Sequence, residues 1–182
     1  MFFKNTQRNK AVFLDRDGVL IEDTGYPHLP EHLKLKRDIL PFLRLLKKKG
    51  YLLIIVTNQS GIARGLFSLE QYQLFQAIVE QALLSENVVI DKTYYCPFHK
   101  DGSVPEFSRD HEDRKPNPGM ILKALEDFDI DIRQSIMIGD RESDIIDYPG
   151  LKTYLIQSDY PVGNGIPVYR SYKELFKDAG IL

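Results

Sequence analysis

Two carboxylates one residue apart follow an apolar segment near the N-terminus. Asp15 and Asp17 come directly after residues 11–14, and Gly18 stands behind them. Successive side chains of a strand point to opposite faces, so both carboxylates can serve one site only where the chain turns. Gly18 permits that turn, because glycine adopts backbone conformations that other residues rarely adopt. The pair can supply a nucleophile and an acid/base group to one metal-bound phosphate, provided that other segments supply the metal and phosphate partners.

Polar groups suited to phosphate and metal occur in three further segments. Thr57 opens the segment Thr-Asn-Gln-Ser-Gly, whose hydroxyl and backbone amide groups can hold phosphate oxygens. Lys115 adds positive charge just before Pro118, while Asp140 and Asp144 add carboxylates of the kind that bind Mg²⁺. Each signal is weakly specific alone. Their order and their placement relative to the predicted strands together indicate a phosphoryl-transfer site.

The elements that must position these groups alternate along the chain. Apolar runs predict buried strands at residues 11–14, 52–57, 92–95, 135–138 and 152–156. Helical periodicity predicts helices at residues 38–49, 68–84, 119–128 and 172–177, the second with Tyr72, Phe75 and its leucines in the core. This alternation predicts an α/β fold in which helices cover both faces of a parallel sheet. Ligands of such sheets bind outside the carboxyl ends of the strands, where the polar segments are expected to meet.

Length and composition limit the classes of protein to consider. The 182 residues suffice for one domain, and we expect a single domain over residues 1–182. A net charge of -2 gives no electrostatic reason to expect nucleic acid as a partner, so a small molecule fits better. We expect no membrane segment and no signal peptide, hence a cytoplasmic protein. One cysteine excludes an internal disulfide, and without an evident exposed apolar helix we expect a monomer.

The motifs resemble those of the haloacid dehalogenase superfamily of phosphatases, which use an aspartate nucleophile. The four superfamily motifs match Asp15-x-Asp17, Thr57, Lys115 and Gly139-Asp140-x-x-x-Asp144. Within the superfamily the chain is most similar to the D-glycero-D-manno-heptose 1,7-bisphosphate 7-phosphatases, through residues 15–18, 57–65, 94–97 and 114–120. The related histidinol-phosphate phosphatases share the first motif and a similar layout. The resemblance implies a haloacid dehalogenase-like, Rossmann-like fold, and the chain has no insertion long enough for a large cap domain.

The same resemblance implies a two-step reaction. Asp15 would attack phosphorus to form an aspartyl-phosphate, and Asp17 would protonate the leaving sugar hydroxyl and then activate water. The implied catalytic residues are Asp15, Asp17, Thr57 and Lys115, and the implied Mg²⁺ ligands are Asp15, the Asp17 carbonyl and Asp140, with Asp144 supporting them. The implied reaction removes the 7-phosphate of a heptose 1,7-bisphosphate, and its product would enter nucleotide-heptose synthesis for lipopolysaccharide or another surface polysaccharide.

Substrate contacts carried over by position extend over four segments. They are Asp23, Thr24, Gly25, Tyr26, Asn58, Gln59, Ser60, Arg64, Arg114 and Arg141. A guanidinium group can bind a second phosphate or a sugar diol through two hydrogen bonds, so Arg114 is the preferred specificity residue.

Three alternative functions remain open. A histidinol-phosphate phosphatase, or another small-phosphoester phosphatase, would use the same catalytic groups. A polynucleotide end phosphatase has a similar layout, but the acidic pI of about 6.1 argues against it. A non-catalytic phosphosugar-binding module is the alternative from another class, and it would not need both Asp15 and Asp17.

The loop before Arg114 departs from the heptose family, in which many members hold a structural zinc there with Cys-x-His and Cys-x-Cys. The corresponding candidates here are Cys96, His99, His111 and Asp113. All four residue types bind zinc, so a tetrahedral site is one interpretation. The loss of thiolates and the one-residue shift of the histidine favour the other interpretation, a loop ordered by its own packing.

Overall fold

The computed structural model describes residues 8–182; the first seven residues, part of the segment considered as a signal peptide, lie outside that range. The strands are β1 (Lys10–Leu14), β2 (Tyr51–Asn58), β3 (Lys92–Cys96), β4 (Ile136–Gly139), β5 (Lys152–Ile156) and β6 (Val168–Tyr169). The helices are α1 (Leu40–Lys48), α2 (Leu69–Ser85), α3 (Gly119–Asp127) and α4 (Tyr172–Asp178). Short 3-10 turns occupy Pro30–His32, Ile132–Gln134 and Glu142–Asp144.

The six strands form one sheet in the order β3-β2-β1-β4-β5-β6, and every neighbouring pair is parallel. The chain proceeds from β1 through β2 to β3 at one edge, then returns to place β4 on the other side of β1. This reversal opens a crevice outside the carboxyl ends of the central strands. Because Asp15 follows β1 and Asp140 follows β4, the topology brings both residues to that crevice.

The core lies on both faces of the sheet. In β1, Val12 and Leu14 pack in the layer that contains α1, α2 and α4, whereas Ala11 and Phe13 pack with α3. All four side chains are fully buried. Burial on both faces explains why the central strand reads as a continuous apolar run instead of an alternating one. The predicted α/β fold with helices on both faces is confirmed.

Helix α2 differs from its prediction. Tyr72, Phe75 and Leu83 are buried as expected, but Leu74 is 68% exposed and Leu84 is 49% exposed. The expectation that the leucines of this helix belong to the core is therefore wrong for these two. The helix carries apolar side chains on more than one side, while only one side faces the sheet.

Two short segments of the chain also need comment, and one of them, strand β6, escaped prediction from sequence. Strand β6 has only two residues, too few to give a periodic pattern. Pro149 in the sequence indicates that any helix after β4 must end early, and the chain forms only the turn Glu142–Asp144 before it. Among the described residues, no helix is long and apolar enough to cross a bilayer.

Candidate active site

The chain turns sharply at the carboxyl end of β1. The Asp15 amide still donates to the carbonyl of Ile138 in β4, at 2.9 Å. Gly18 then adopts a φ of +87°, and its amide donates to the carbonyl of Ile21 at 2.8 Å. A Cβ atom at Gly18 would lie 2.1 Å from Oδ2 of Asp140. Only glycine therefore allows both this turn and the close approach of Asp140.

Three carboxylates and one ammonium group form the buried centre of the site. Lys115 Nζ donates to Oδ1 of Asp15 at 2.7 Å and to Oδ1 of Asp144 at 2.6 Å. The Lys115 side chain is only 1% exposed. Carboxylate oxygens of Asp15, Asp140 and Asp144 lie within 4.8 Å of one another. The cluster therefore carries more negative than positive charge when its carboxylates are ionised.

This centre has the features that a divalent cation requires. Oδ2 of Asp140 is buried and has no hydrogen-bond partner among residues 8–182. An unpartnered buried carboxylate oxygen is costly unless a cation or another donor reaches it. Hard oxygen ligands in this arrangement suit Mg²⁺. Asp15 and Asp140 are thus placed together as the sequence analysis expected, with Asp144 beside them.

Burial and mutual repulsion disturb the ionisation of the cluster. Burial raises the pKa of Asp15 to about 7; the Lys115 ammonium opposes this rise, and the carboxylates of Asp144 and Asp140 add to it. Burial likewise raises the pKa of Asp140. For Lys115, burial alone would lower the pKa, but attraction to Asp144 and Asp15 outweighs it and raises the pKa. Lys115 therefore remains an ammonium group beside the carboxylates.

The end of β2 positions the lysine and the phosphate-binding groups. Asn58 Oδ1 accepts from the Lys115 amide at 3.0 Å, and Asn58 Nδ2 donates to the Lys115 carbonyl at 3.1 Å. Thr57 Oγ1 accepts from Gln59 Nε2 at 2.9 Å. The sequence analysis assigned Asn58 to the substrate. Its contacts show that it also fixes the backbone of Lys115.

Asp17 lines the same cavity as Asp15 but has hydrogen-bond partners of its own. Its carboxylate accepts two hydrogen bonds from Arg16, at 2.7 and 3.0 Å, and one from Gln59, at 3.0 Å. The carboxylate of Asp17 therefore has a fixed position, separate from that of Asp15.

A cavity of about 280 Å³ opens above these groups. Its lining comprises Asp15, Asp17, Asp23, Gly25, Tyr26, Asn58, Gln59, Ser60, Arg114, Lys115, Arg141, Ser143, Asp144 and Tyr160. Thr57 is buried and is absent from this lining. Two residues predicted to bind substrate, Thr24 and Arg64, are also absent from it. The guanidinium of Arg64 instead lies 3.1 Å from Nε2 of His99.

Three side chains from separate loops meet at one wall of the cavity, and we name them the Asp23 clasp. Asp23 Oδ2 accepts from Arg141 at 2.8 Å and from the Tyr160 hydroxyl at 2.7 Å. The Arg141 guanidinium lies 3.9 Å from the centre of the Tyr160 ring. Arg141 also donates to Oδ1 of Asp140 at 3.0 Å. The clasp therefore connects the proposed metal centre to the loop that begins after β1.

Arg114 is half-buried in the cavity wall. One of its terminal nitrogens donates to the carbonyl of Phe98, at 3.4 Å. Arg114 and Arg141 both contribute guanidinium groups to the cavity lining. Arg141 pairs with Asp23 and Asp140, whereas Arg114 pairs with no carboxylate among the described residues, so Arg114 is the guanidinium left to bind an anion.

The four zinc candidates do not converge. Burial raises the pKa of the Cys96 thiol, which lies 3.9 Å from the carbonyl of Phe98. The His111 ring stacks on Phe98 at a centroid distance of 4.2 Å. Among residues 8–182, the only group of three or more metal-binding side chains with converging ligand atoms is Asp15, Asp140 and Asp144.

The remaining candidates in this loop have protein partners. His99 Nδ1 accepts from the Asp101 amide at 3.0 Å, and His111 Nδ1 accepts from the Asp113 amide at 3.1 Å. The Asp113 carboxylate pairs with Lys123. These contacts, together with the stacking on Phe98, order the loop without converging on a common centre.

The sequence analysis missed Tyr160 and Ser143, which both line the cavity. Tyr160 lies in an irregular loop after β5, where no motif or periodic pattern marks it. Ser143 stands inside the fourth motif, between Asp140 and Asp144. The position of Ser143 within that motif could therefore have suggested that it belongs to the site.

Comparisons with known proteins agree with this geometry. A sequence model of the polynucleotide kinase 3 phosphatase family matches residues 10–160. The D-glycero-beta-D-manno-heptose-1,7-bisphosphate 7-phosphatase of Haemophilus influenzae is 43% identical over 167 residues, which cover 88% of this chain and 90% of the relative. The D-glycero-alpha-D-manno-heptose-1,7-bisphosphate 7-phosphatase of Photorhabdus laumondii is 43% identical over 136 residues, covering 75% and 74% of the two chains.

Solved structures extend the likeness to the fold. A HAD-like phosphatase from Mesorhizobium loti superposes with a TM-score of 0.85 at 33% identity, covering 96% of this chain and 86% of that one. The D,D-heptose 1,7-bisphosphate phosphatase of B. bronchiseptica, complexed with magnesium and phosphate, gives a TM-score of 0.74 at 25% identity, covering 93% and 99%. Family match, relatives and fold agree with the motifs: the chain belongs to the haloacid dehalogenase superfamily of phosphatases, within the polynucleotide kinase 3 phosphatase family.

Proposed function

We propose that this phosphatase removes the 7-phosphate of a D-glycero-D-manno-heptose 1,7-bisphosphate with Mg²⁺ as cofactor. The observation that carries the proposal is the buried cluster of Asp15, Asp140, Asp144 and Lys115 beneath a cavity lined with guanidinium groups. Relatives that are 43% identical bear the names of phosphatases for this substrate. The magnesium and phosphate in the B. bronchiseptica relative support the assignment of the cofactor.

Asp15 is the proposed nucleophile. Its carboxylate forms a bond to phosphorus as the bond from phosphorus to the sugar oxygen breaks. Lys115, 2.7 Å from Oδ1 of Asp15, holds that carboxylate in place and adds positive charge near the phosphoryl group. Mg²⁺ held by Asp15, the Asp17 carbonyl and Asp140, with Asp144 behind them, would neutralise the phosphate so that a carboxylate can approach it.

Asp17 is the proposed acid and base. Its carboxyl gives a proton to the departing sugar oxygen, and in the second step the carboxylate takes a proton from the water that attacks the aspartyl-phosphate. The backbone amides after β2 bind the phosphoryl oxygens, and the hydroxyl of Thr57, buried outside the cavity lining and accepting from Gln59, keeps its own proton to donate to them. Water attack on phosphorus returns Asp15 as a free carboxylate and releases inorganic phosphate, so the cycle closes.

The rest of the cavity is proposed to bind the sugar and its second phosphate. Arg114 and Arg141 lie in the cavity wall; the Arg114 guanidinium can pair with phosphate or a sugar diol through two hydrogen bonds, whereas Arg141 already pairs with Asp140 and Asp23. Loops after β1, β3 and β5 surround the cavity. We propose that residues 1–182 form one domain in which these loops, without a cap domain, enclose the substrate.

The test is Mg²⁺-dependent phosphate release from three substrates, the two anomers of the heptose bisphosphate and histidinol phosphate. Because relatives of nearly equal identity are named for either anomer, kcat/KM must be compared for both. We expect either heptose anomer to be hydrolysed with a kcat/KM at least tenfold above that of histidinol phosphate. A preference for histidinol phosphate would overturn the substrate assignment, and no Mg²⁺-dependent release from any phosphoester would overturn the enzyme.

The remaining parts of the proposal concern zinc, assembly and location. We propose that the loop around Cys96 works without zinc; elemental analysis that finds stoichiometric zinc in purified protein would overturn this. The proposed enzyme is a monomer, and light scattering should then give a mass near 21.0 kDa. Its proposed place is the cytoplasm, in nucleotide-heptose synthesis for a surface polysaccharide.

A further inference from the structure

Arg16 is the largest fully buried side chain of the described residues, and its position is unusual for a charged group. Its exposed fraction is 0%. A buried guanidinium is costly unless its donors are well paired, so its partners indicate what it does. The principal partner is Asp17: Nε donates to Oδ1 at 2.7 Å and Nη2 donates to Oδ2 at 3.0 Å. This two-point geometry fixes both the position and the plane of the Asp17 carboxylate.

Other contacts hold the guanidinium of Arg16 in turn. Nη2 also donates to the carbonyl of Pro27 at 3.1 Å and to Oε1 of Gln59 at 3.2 Å. The rings of Phe75 and Tyr72 lie 5.2 and 5.6 Å from the guanidinium carbon. The Arg16 side chain is therefore held by the loop after β1, by the end of β2 and by helix α2.

Gln59 completes the arrangement from the phosphate-binding side. Its Nε2 donates to Oδ2 of Asp17 at 3.0 Å and to Oγ1 of Thr57 at 2.9 Å. Oδ2 thus accepts two of the hydrogen bonds, whereas Oδ1 accepts one and keeps a free lone pair. Oδ1 is accordingly the oxygen with acceptor capacity left for a further partner.

We propose that Arg16, assisted by Gln59, is a positioning residue that fixes the carboxyl of Asp17 where it can protonate the leaving oxygen. This inference rests on the acid role of Asp17 in the proposed function. In the step concerned, the bond from Asp15 to phosphorus forms, the bond from phosphorus to the leaving oxygen breaks, and the proton moves from the Asp17 carboxyl to that oxygen. Proton transfer requires placement within hydrogen-bond reach, which a freely rotating aspartate seldom holds.

The test compares substrates that differ in their need for a proton. An alkyl phosphate such as the heptose bisphosphate expels a poor leaving group, while p-nitrophenyl phosphate expels a stable phenolate. In Arg16→Lys the positive charge stays but the two-point contact with Asp17 is lost. We expect kcat/KM for the alkyl phosphate to fall about 10- to 100-fold, within the range of general acid catalysis, and that for the aryl phosphate to fall less than about threefold. Because kcat/KM reports only the steps through aspartyl-phosphate formation, the comparison isolates proton donation.

A second pair of variants separates positioning from folding. In an Asp17→Asn background, Arg16→Lys should not change the ratio of alkyl to aryl kcat/KM any further. The control Arg44→Lys, in α1 and bonded to the carbonyl of Glu86, should leave both values of kcat/KM unchanged. Should Arg16→Lys fail to fold, Gln59→Met removes one donor to Asp17 and should lower the ratio of alkyl to aryl kcat/KM in the same direction.

The outcomes distinguish this inference from the proposed function. If the wild type hydrolyses neither substrate, the function itself is wrong. If Asp17→Asn does not lower kcat/KM more for the alkyl phosphate than for the aryl phosphate, the acid role of Asp17 is wrong. Suppose that Asp17→Asn shows that loss but Arg16→Lys lowers kcat/KM equally for both substrates, or for neither. The positioning role is then wrong while the function stands.

Discussion

Individual residues of the site work against the stability of the folded chain. Asp15, Asp140 and Asp144 repel one another in a buried space, and Lys115 offsets only part of that repulsion. Such a cluster persists because the surrounding packing fixes it, and a cation would relieve it. The residue types and spacing of these groups were predictable from the sequence. Their exact contacts were not, because they depend on how four strand ends and loops meet.

Gly18 gives the first prediction at this scale. In Gly18→Ala the added Cβ would meet Oδ2 of Asp140 at 2.1 Å, so that carboxylate must move. We expect at least a tenfold loss of Mg²⁺ affinity by calorimetric titration, together with a loss of stability of about 1 kcal/mol from the positive φ.

Gly25→Ala is the matched control for Gly18→Ala. Gly25 also has a positive φ, +75°, but a Cβ there meets nothing within 4 Å. The control should lose comparable stability and keep its Mg²⁺ affinity. Equal loss of affinity in both variants would show that backbone strain, not contact with Asp140, determines metal binding.

Loops between elements decide which groups the strand ends present to the substrate. Three loops contribute one side chain each to the Asp23 clasp, and only two of these, Asp23 and Arg141, were predicted from sequence. Tyr160 escaped prediction because its loop has no periodicity and its partner Asp23 is 137 residues away. The exposure of two leucines in α2 was not predicted for a related reason. The sequence does not specify how much of a helix the sheet covers.

The clasp predicts a dependence of stability on pH. Burial alone would raise the pKa of Asp23, but hydrogen bonds from Tyr160, the Gly25 amide and Arg141 outweigh burial and lower the pKa below its ordinary value of 3.8. A lowered pKa in the folded state stabilises the fold above the unfolded-state pKa, and the contribution disappears as pH falls through the folded-state pKa. Asp23→Asn should therefore reduce the free energy of unfolding at pH 7 and have a smaller effect at pH 3.

Denaturant unfolding in the presence of a metal chelator measures this dependence. Tyr160→Phe removes one of the donors to Asp23 and should give a smaller pH-dependent loss of stability than Asp23→Asn. A constant difference between wild type and Asp23→Asn from pH 7 to pH 3 would contradict the clasp as the cause of the lowered pKa.

At the scale of the whole molecule, the order of the strands determines where the chemistry occurs. Strand β1 lies between β2 and β4, so groups from three strand ends converge although they are distant in sequence. The alternation of strands and helices made a parallel sheet with helices on both faces predictable, but not the order of its strands. The two-residue β6 was not predictable either, because so short a strand leaves no periodic signal, whereas Pro149 indicated an early end to any helix after β4.

The convergence predicts that Mg²⁺ stabilises the whole fold. A ligand that binds only the folded state adds about 2.7 kcal/mol at a hundredfold excess over its Kd. The thermal midpoint should therefore rise by several degrees with Mg²⁺ in the wild type and not in Asp140→Asn. Asp178→Asn, which neutralises the carboxylate that accepts from the Tyr169 hydroxyl outside the cavity lining, should retain the rise. A Mg²⁺-dependent rise that persists in Asp140→Asn would place the cation elsewhere.

The nucleophilic role of Asp15 is the central claim, and chemical trapping tests it most directly. Borohydride reduces an acyl phosphate to an alcohol, so quenching the enzyme during turnover of the heptose bisphosphate should convert Asp15 to homoserine. Peptide mass spectrometry then locates the reduced residue. We predict modification at Asp15, dependent on Mg²⁺ and substrate and absent in Asp15→Asn. Trapping at another carboxylate, or none during active turnover, would contradict the account.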